Sequence, residues 1–507
     1  MEKDLGKEIM QMRECYRKGN TKHVTWRRAQ LKGLLSFLAE KEVEIFRALN
    51  LDLGKNYVEA FRDEVGLLKK SLNLALKDLK TWMASKEAKL PSIALLSYAE
   101  LVPEPLGLIL VISSWNFPMG LSLEPLIGAI AAGNAVVIKP SELAPASSSL
   151  LANALPNYLD TQAIKVIEGG PAVGQQLLHH KWDKILFTGS PKVGRIIMSE
   201  AAKNLTPVTL ELGGKCPAIL DSLSWSWDKE VVAINRIIGA KYGSCAGQAC
   251  ISIDYLLVEK PFSSTVVELM KALIKKMYGD NPRESHSISR IINKHHFLRL
   301  KDLLTDQKVK DCIVYGGSMD EDSLFIEPTI LVDPPLESAM MTEEIFGPLL
   351  PIITGAIPFS CLEKSGLSSG QLDKIEDSID FINSRPKPLA LYAFTKNEVL
   401  KERLVSETSS GSVVFNDAII QFAADTLPFG GIGESGIGKY HGKFSFDTFT
   451  HYKAVARRSL LTDLWYRFPP WNNYKLELLE NTYNYDYFGL LLVILGLKRS
   501  RKTFHVN

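Results

Sequence analysis

From residue 107 onward, short apolar β-rich runs alternate with stretches patterned as helices, and few architectures accept that rhythm. Residues 107–112, 135–138, 164–168 and 184–187 are such runs, each followed by a helix-like stretch. This alternation predicts a parallel sheet whose crossovers are helices. The runs are apolar at both phases of the period-2 pattern, so the strands should lie buried between helix layers, as in a Rossmann-like doubly wound α/β domain.

The first 80 or so residues read differently. Apolar positions such as Leu34, Leu35, Phe37 and Leu38 are set among charges, the pattern of amphipathic helices packing beside the sheet. A second alternation begins near Pro217 and continues through residues 254–259, 261–277 and 325–332, which implies another α/β unit with a boundary near residue 213. At 507 residues the chain suits two or three substructures. No solenoid repeat is present, and the one long loop-like stretch is 355–372, rich in Ser and Gly.

Fifty-nine Lys and Arg against 57 Asp and Glu leave a net charge of +2, too small a field to hold nucleic acid. The six cysteines (Cys15, Cys216, Cys245, Cys250, Cys312, Cys361) are scattered, and the first residues lead into a charged helical pattern with no secretory apolar core. Free thiols in a cytoplasmic setting are the expectation. No run reaches the roughly 20 apolar residues of a membrane span. Residues 487–497 are apolar and are followed by Lys498, Arg499, Arg501 and Lys502. Such a tail suits either a peripheral contact with an anionic membrane face or a helix docked on the protein.

Several short segments carry groups suited to chemistry. Phe187-Thr188-Gly189-Ser190 closes a strand and opens a helix. Ser190 can cap that helix, with Pro191 and Val193 in its first turn, and bare backbone at Gly189 admits a phosphate to the free N–H groups. Lys139 and Glu142 follow another strand end, where a Lys can bond ribose hydroxyls and a carboxylate favours a 2′-hydroxyl over a 2′-phosphate. A solvated loop pair is the alternative there. Asn116, between Trp115 and Phe117, is either a turn residue or an amide donor to a developing oxyanion. Glu211 ends an apolar run, and a carboxyl held beside apolar groups gains affinity for protons, as a general base near neutral pH requires. Gly247-Gln248-Ala249-Cys250 puts a thiol in a small-residue turn, with Cys245 as a rival nucleophile and a buried inert thiol as the other reading. Glu344 and Phe346, before Gly347-Pro348, suit a clamp for a ribose and ring or a turn, and residues 428–436 form a Gly-dense loop.

These segments occur together and in the order seen in the aldehyde dehydrogenase superfamily, and the chain resembles its class 3 members, plant ones most. Ser114 to Pro118, the Glu-Leu-Gly-Gly-Lys run at 211–215 and the Tyr440-His441-Gly442-Lys443 ending carry the likeness. The resemblance implies NAD(P)-dependent oxidation of aldehydes, of medium to long chain or lipid-derived, to carboxylic acids, with no metal. It gives Cys250 as the nucleophile, Asn116 and the Cys250 N–H as oxyanion donors, and Glu211 as the base that activates water. Lys139 and Glu142 would hold the adenine ribose, Gly189, Ser190 and Val193 the pyrophosphate side, and Glu344 with Phe346 the nicotinamide ribose and ring. Glu142 favours NAD, with NADP also accepted.

The implied architecture is a cofactor domain of residues 1–86 and 106–212, a catalytic domain of 213–440, and a bridging segment of 87–105 and 441–460 that makes a homodimer, with 461–507 as the tail. Two departures stand out: 39 residues separate Glu211 from Cys250 (250 − 211), the extra ones around 222–227, and residues 355–372 resemble an insertion. The insertion leaves open a non-catalytic scaffold with the same fold; an enzyme that passes its acyl group to coenzyme A is a further reading, against which Glu211, suited to hydrolysis, argues.

Overall fold

The computed structural model describes residues 5–94, 97–221, 227–354, 378–461 and 463–497. Most of the extra residues at 222–227, the insertion at 355–372, Cys361 and the basic end of the tail therefore lie outside the described residues. The backbone forms two units, one of Met1–Leu79 with Pro105–Thr450 and one of Lys80–Glu104 with His451–Asn507.

Among the described residues the first unit holds two large sheets, besides a two-stranded one of Met319–Asp320 with Phe325–Ile326. In one, the spatial order is Gly436–Ile437, Val208–Glu211, Lys184–Thr188, Leu108–Ile112, Ala135–Lys139, Ile164–Val166. Neighbours are parallel except for Gly436–Ile437, which runs against Val208–Glu211. Leu108–Ile112 and Ala135–Lys139 are buried at every residue, as strands covered on both faces must be. The chain steps from Leu108–Ile112 to one side, then returns to place Lys184–Thr188 on the other. Such a reversal opens a crevice at the carboxyl ends of the two strands, where open α/β sheets hold ligands.

The helix Pro118–Ala132 shows how local sequence and packing agree. Pro118 starts it, and Gly133, at φ 91°, ends it in the left-handed conformation that glycine adopts without strain. Fourteen of its fifteen residues are buried, which fits an almost wholly apolar helix in the interior.

The second sheet has the order Ile313–Tyr315, Thr329–Val332, Leu349–Ile353, Tyr255–Val258, Pro217–Leu220, Ala390–Phe394, Ser412–Phe415. All pairs are parallel apart from the antiparallel edge strand Ile313–Tyr315. Its central strands are buried throughout and pack against the helices Trp227–Tyr242 and Lys260–Tyr278 through Ile234, Ile237, Ile238, Val266, Met270 and Ile274. The chain passes from the first sheet to the second within residues 212–216.

The Gly-dense loop is partly a strand. Gly436 pairs with Glu211, and a Cβ at Gly436 would lie 2.2 Å from the main-chain oxygen of Leu210, so close backbone approach requires glycine there.

The second unit carries the sheet of Lys86–Glu87, Ser97–Pro105 and Thr450–Arg458. Ion pairs Lys453–Glu104 and Arg457–Glu100 join its strands at 2.6 and 2.9 Å. Beyond it the helices Asn473–Tyr483 and Tyr487–Ile494 close on a small core of Tyr466, Leu478 and Val493. Among the described residues no helix is long and apolar enough to cross a membrane.

Candidate active site

Three loops leave the carboxyl ends of the first sheet and meet in one cavity of about 310 Å³, lined by Trp115 and Asn116, by Thr188, Gly189 and Ser190, and by Glu211, Leu212 and Gly213. Its far wall comes from loops before strands of the second sheet: Cys250 precedes Tyr255–Val258, and Glu343, Glu344 and Phe346 precede Leu349–Ile353. A second cavity, also of about 310 Å³, is lined mainly by apolar and aromatic side chains, among them Phe117, Leu121, Ile419, Phe422, Phe429 and Tyr440. Thr188, Glu211 and Cys250 line both.

The loop bearing Cys250 is strained and braced. Cys245 and Ala246 have φ of 50° and 49°, a conformation that non-glycine residues adopt at a cost. Gly247 is also left-handed, and a Cβ there would sit 2.4 Å from the main-chain oxygen of Gly347. Gln248, fully buried, holds the turn: its Nε2 donates to the main-chain oxygens of Cys245 (3.0 Å) and Arg290 (2.9 Å), and its Oε1 accepts from Ile292 N–H at 3.1 Å. Cys245 is itself fully buried and its Sγ donates to Asn116 O at 3.4 Å, whereas Cys250 is half-buried on the cavity wall. Cys216 Sγ donates to Cys250 O at 3.3 Å.

Asn116 is buried, with its Nδ2 donating to Gln248 O at 3.0 Å. An amide NH2 has two hydrogens, so one N–H is left for a ligand. Glu211 stands in register with Thr188 on the neighbouring strand. Both its carboxylate oxygens and Thr188 Oγ1 are buried without a hydrogen-bond partner among the described residues. Burial raises the Glu211 carboxyl well above the usual range. The Cys250 thiol is pushed up too, by burial first and then by the neighbouring charges of Glu344 and Glu211. Thiol and carboxyl line the same cavity and burial favours the protonated form of each, so forming a nucleophilic thiolate there requires a base in its ionised form.

On the polar side, Glu344 Oε1 accepts from Gly214 N–H at 2.9 Å, and burial raises its carboxyl to about 7. Its loop is pinned through the main chain. Lys215 donates to Met340 O and Glu343 O at 2.9 Å each, Asp254 Oδ2 accepts from Ile345 N–H at 2.9 Å, and Arg299 donates to Glu344 O and Ile345 O. Phe346 lies edge-on to Trp115, with centroids 5.4 Å apart.

The structure therefore brings Asn116, Gly189, Ser190, Glu211, Cys250, Glu344 and Phe346 around one cavity. Three sequence candidates lie apart from that lining. Lys139 Nζ donates to Glu142 at 2.8 Å, so those two side chains bind each other, and Val193 is exposed, its N–H turned to the capping Ser190 Oγ.

Thr188, His296 and Arg299 line the cavity without having been singled out by sequence. His296 packs against Trp115 at 5.0 Å, and burial lowers its imidazole to about 4. Just before the latter pair in sequence stands Asn293, whose side chain caps the helix Lys294–Thr305, a residue type that marks a helix start and not a site.

Comparison with known proteins gives the family of the chain. The profile of the aldehyde dehydrogenase family matches residues 2–455. The chain belongs to the aldehyde dehydrogenase family.

It is 53% identical to aldehyde dehydrogenase family 3 member F1 of Arabidopsis thaliana, over 98% of this chain and 99% of that one. It is 50% identical to member H1 of the same plant over 96% and 97%. Among solved structures it resembles the substrate-bound AldH of Staphylococcus aureus, with a TM-score of 0.87 and 38% identity over 94% of this chain and 99% of that one. This aldehyde dehydrogenase oxidises aldehydes with a nicotinamide cofactor, and its plant class 3 likeness extends over nearly its whole length. The residues of the polar cavity fit that cofactor: a partly buried carboxylate at Glu344, a helix start at Ser190, and at Gly213 a cradle where a Cβ would meet the Glu344 carboxylate 2.3 Å away.

Proposed function

We propose that Cys250 is the nucleophile, Asn116 an oxyanion donor and Glu211 the base. The observation that carries this reading is that Cys250, alone among the described cysteines, lines both cavities, with Glu211 beside it. The Cys250 sulfur bonds to the aldehyde carbon while its proton moves to Glu211. The carbonyl oxygen, now negative, is held by the free Asn116 Nδ2–H and the Cys250 N–H. The cofactor, when bound, supplies the hydride acceptor. Loss of hydride leaves a thioester on Cys250. Glu211, after giving the first proton up to solvent, takes a proton from water as the water oxygen attacks; the C–S bond then breaks, Glu211 returns that proton to the Cys250 sulfur, and the carboxylic acid leaves. Glu344 and Phe346 would hold the nicotinamide ribose and ring, Gly189, Ser190 and Val193 the pyrophosphate side, and Lys139 and Glu142 the adenine ribose. Residues 1–86 and 106–212 would bind cofactor while 213–440 carry out the chemistry.

The apolar cavity supports aldehydes of medium to long chain as substrates. Purified enzyme supplied with NAD should turn over hexanal with a higher kcat/KM than short polar aldehydes, and the reverse ranking would sink that choice.

The remainder of the proposal concerns assembly. Thr450–Arg458 is an edge strand with no fully buried residue, which suits pairing with a second copy across the 87–105 and 441–460 segments. Sedimentation at micromolar concentration should give a dimer, and a monomer would refute it. Phe488, Leu491, Ile494 and Leu497 are exposed on the last turns, which supports peripheral contact of this otherwise cytoplasmic enzyme with a membrane. Binding to anionic vesicles should vanish on deleting residues 487–507, and unchanged binding would remove the idea.

A further inference from the structure

We propose that Lys55 is a positioning residue for Asn116, fixing the oxyanion donor from below. The inference rests on the roles proposed for Asn116 and Cys250. The Lys55 side chain is wholly buried. Its ammonium donates to Glu64 Oε1 at 2.7 Å and to the main-chain oxygen of Asn116 at 2.8 Å, and lies 4.2 Å from the centre of the Phe117 ring. Glu64 Oε2 accepts from Met119 N–H at 2.8 Å and Gly120 N–H at 3.1 Å, the first free donors of the helix Pro118–Ala132. Lys55 and Glu64 thus hold both ends of the turn that presents Asn116.

The same stretch of chain reaches the other donor. Glu59 Oε1 accepts from Cys245 N–H at 2.7 Å, at the head of the braced turn that leads to Cys250. Residues 55–64 therefore touch both loops whose spacing decides whether two N–H groups converge on one oxygen.

Stability alone does not account for this cluster, because a buried ion pair replaced by apolar side chains of similar volume is often neutral or stabilising. An ammonium bonded to a main-chain oxygen does what an apolar contact cannot: it fixes direction. A donor misplaced by about 1 Å can cost on the order of 10²-fold in rate.

A double-mutant cycle tests the idea. Lys55→Met with Glu64→Gln removes both charges yet keeps an acceptor for Met119 and Gly120. We expect kcat for hexanal to fall roughly 30-fold with KM for NAD changed less than about twofold. In an Asn116→Ala background the same pair should change kcat less than about threefold, since the group it positions is gone. An equal loss in both backgrounds, or no loss in the parent, would overturn the proposal. If that variant does not purify folded, Lys55→Gln with Glu64→Gln runs the same cycle. Full turnover in Cys250→Ala or Asn116→Ala alone would instead refute the catalytic roles, a result separable from failure of the cycle.

Discussion

The two cavities that meet at Cys250 have similar volumes and opposite construction. The polar one is fixed by charge acting on main chain: Lys215, Asp254 and Arg299 all bond the backbone of the Glu344 loop. The other is shaped by aromatic and aliphatic side chains such as Phe422, Phe429 and Tyr440, with the charged pairs Arg62–Asp63 and Arg236–Asp417, of which the arginines are exposed, also in its lining. Directed hydrogen bonds hold a ligand that is the same in every turnover, whereas apolar walls tolerate variation in length and shape. If the polar cavity takes the cofactor and the apolar one the aldehyde, as proposed, their selection resides in different physics, with three residues common to both.

The division breaks first at the shared wall. Cys250→Ala should lower turnover at least about 10⁴-fold, while Cys245→Ala stays within roughly tenfold of the parent, as measured by NADH formation. Retained activity in the former would place the chemistry elsewhere. Glu211→Gln should cost roughly 10²- to 10⁴-fold in kcat. Because the Glu211 carboxyl sits above its usual range and must be ionised to act, kcat of the parent should fall as pH drops through that raised value. A Gln variant that kept the same acid limb would assign the limb to another group.

Smaller effects separate the two sides. Glu344→Gln should raise KM for NAD about tenfold and leave KM for hexanal unchanged. With the carboxyl raised to about 7, cofactor affinity should improve as pH rises through that value and the carboxylate forms. Phe422→Ala should do the reverse, lowering kcat/KM for hexanal about tenfold with NAD binding intact. Effects that cross over would show that the cavities are not independent. Smallest of all, Glu142→Ala should raise the preference for NADP over NAD by about threefold, since the carboxylate is already engaged by Lys139. No change would remove Glu142 from cofactor choice.

Much of the fold was legible because parallel strands buried on both faces read as continuous apolar runs, and residues 107–112 and 135–138 did so plainly. The helix start at Ser190 was legible for a local reason, the cap and the following proline. The site was harder. Asn116, Glu211 and Cys250 are local banalities until the topology folds three strand ends onto one turn, and family likeness, not spacing, singled them out. Thr188, His296 and Arg299 escaped because a lone polar residue on a strand or amphipathic helix looks like any solvated position. The mutual pairing of Lys139 and Glu142 depends on how two neighbouring side chains turn, which a strand-end motif does not specify.

The antiparallel strand Gly436–Ile437 covers the edge strand that bears Glu211, yet it follows that residue by 225 positions (436 − 211). During synthesis the cofactor sheet can assemble early, but one edge stays open until the second sheet has been made. An unpaired edge invites pairing with other chains, so this enzyme's most aggregation-prone interval should come between completion of the first sheet and emergence of the 436–437 strand. A chain truncated before that strand would leave its proposed base on the exposed margin.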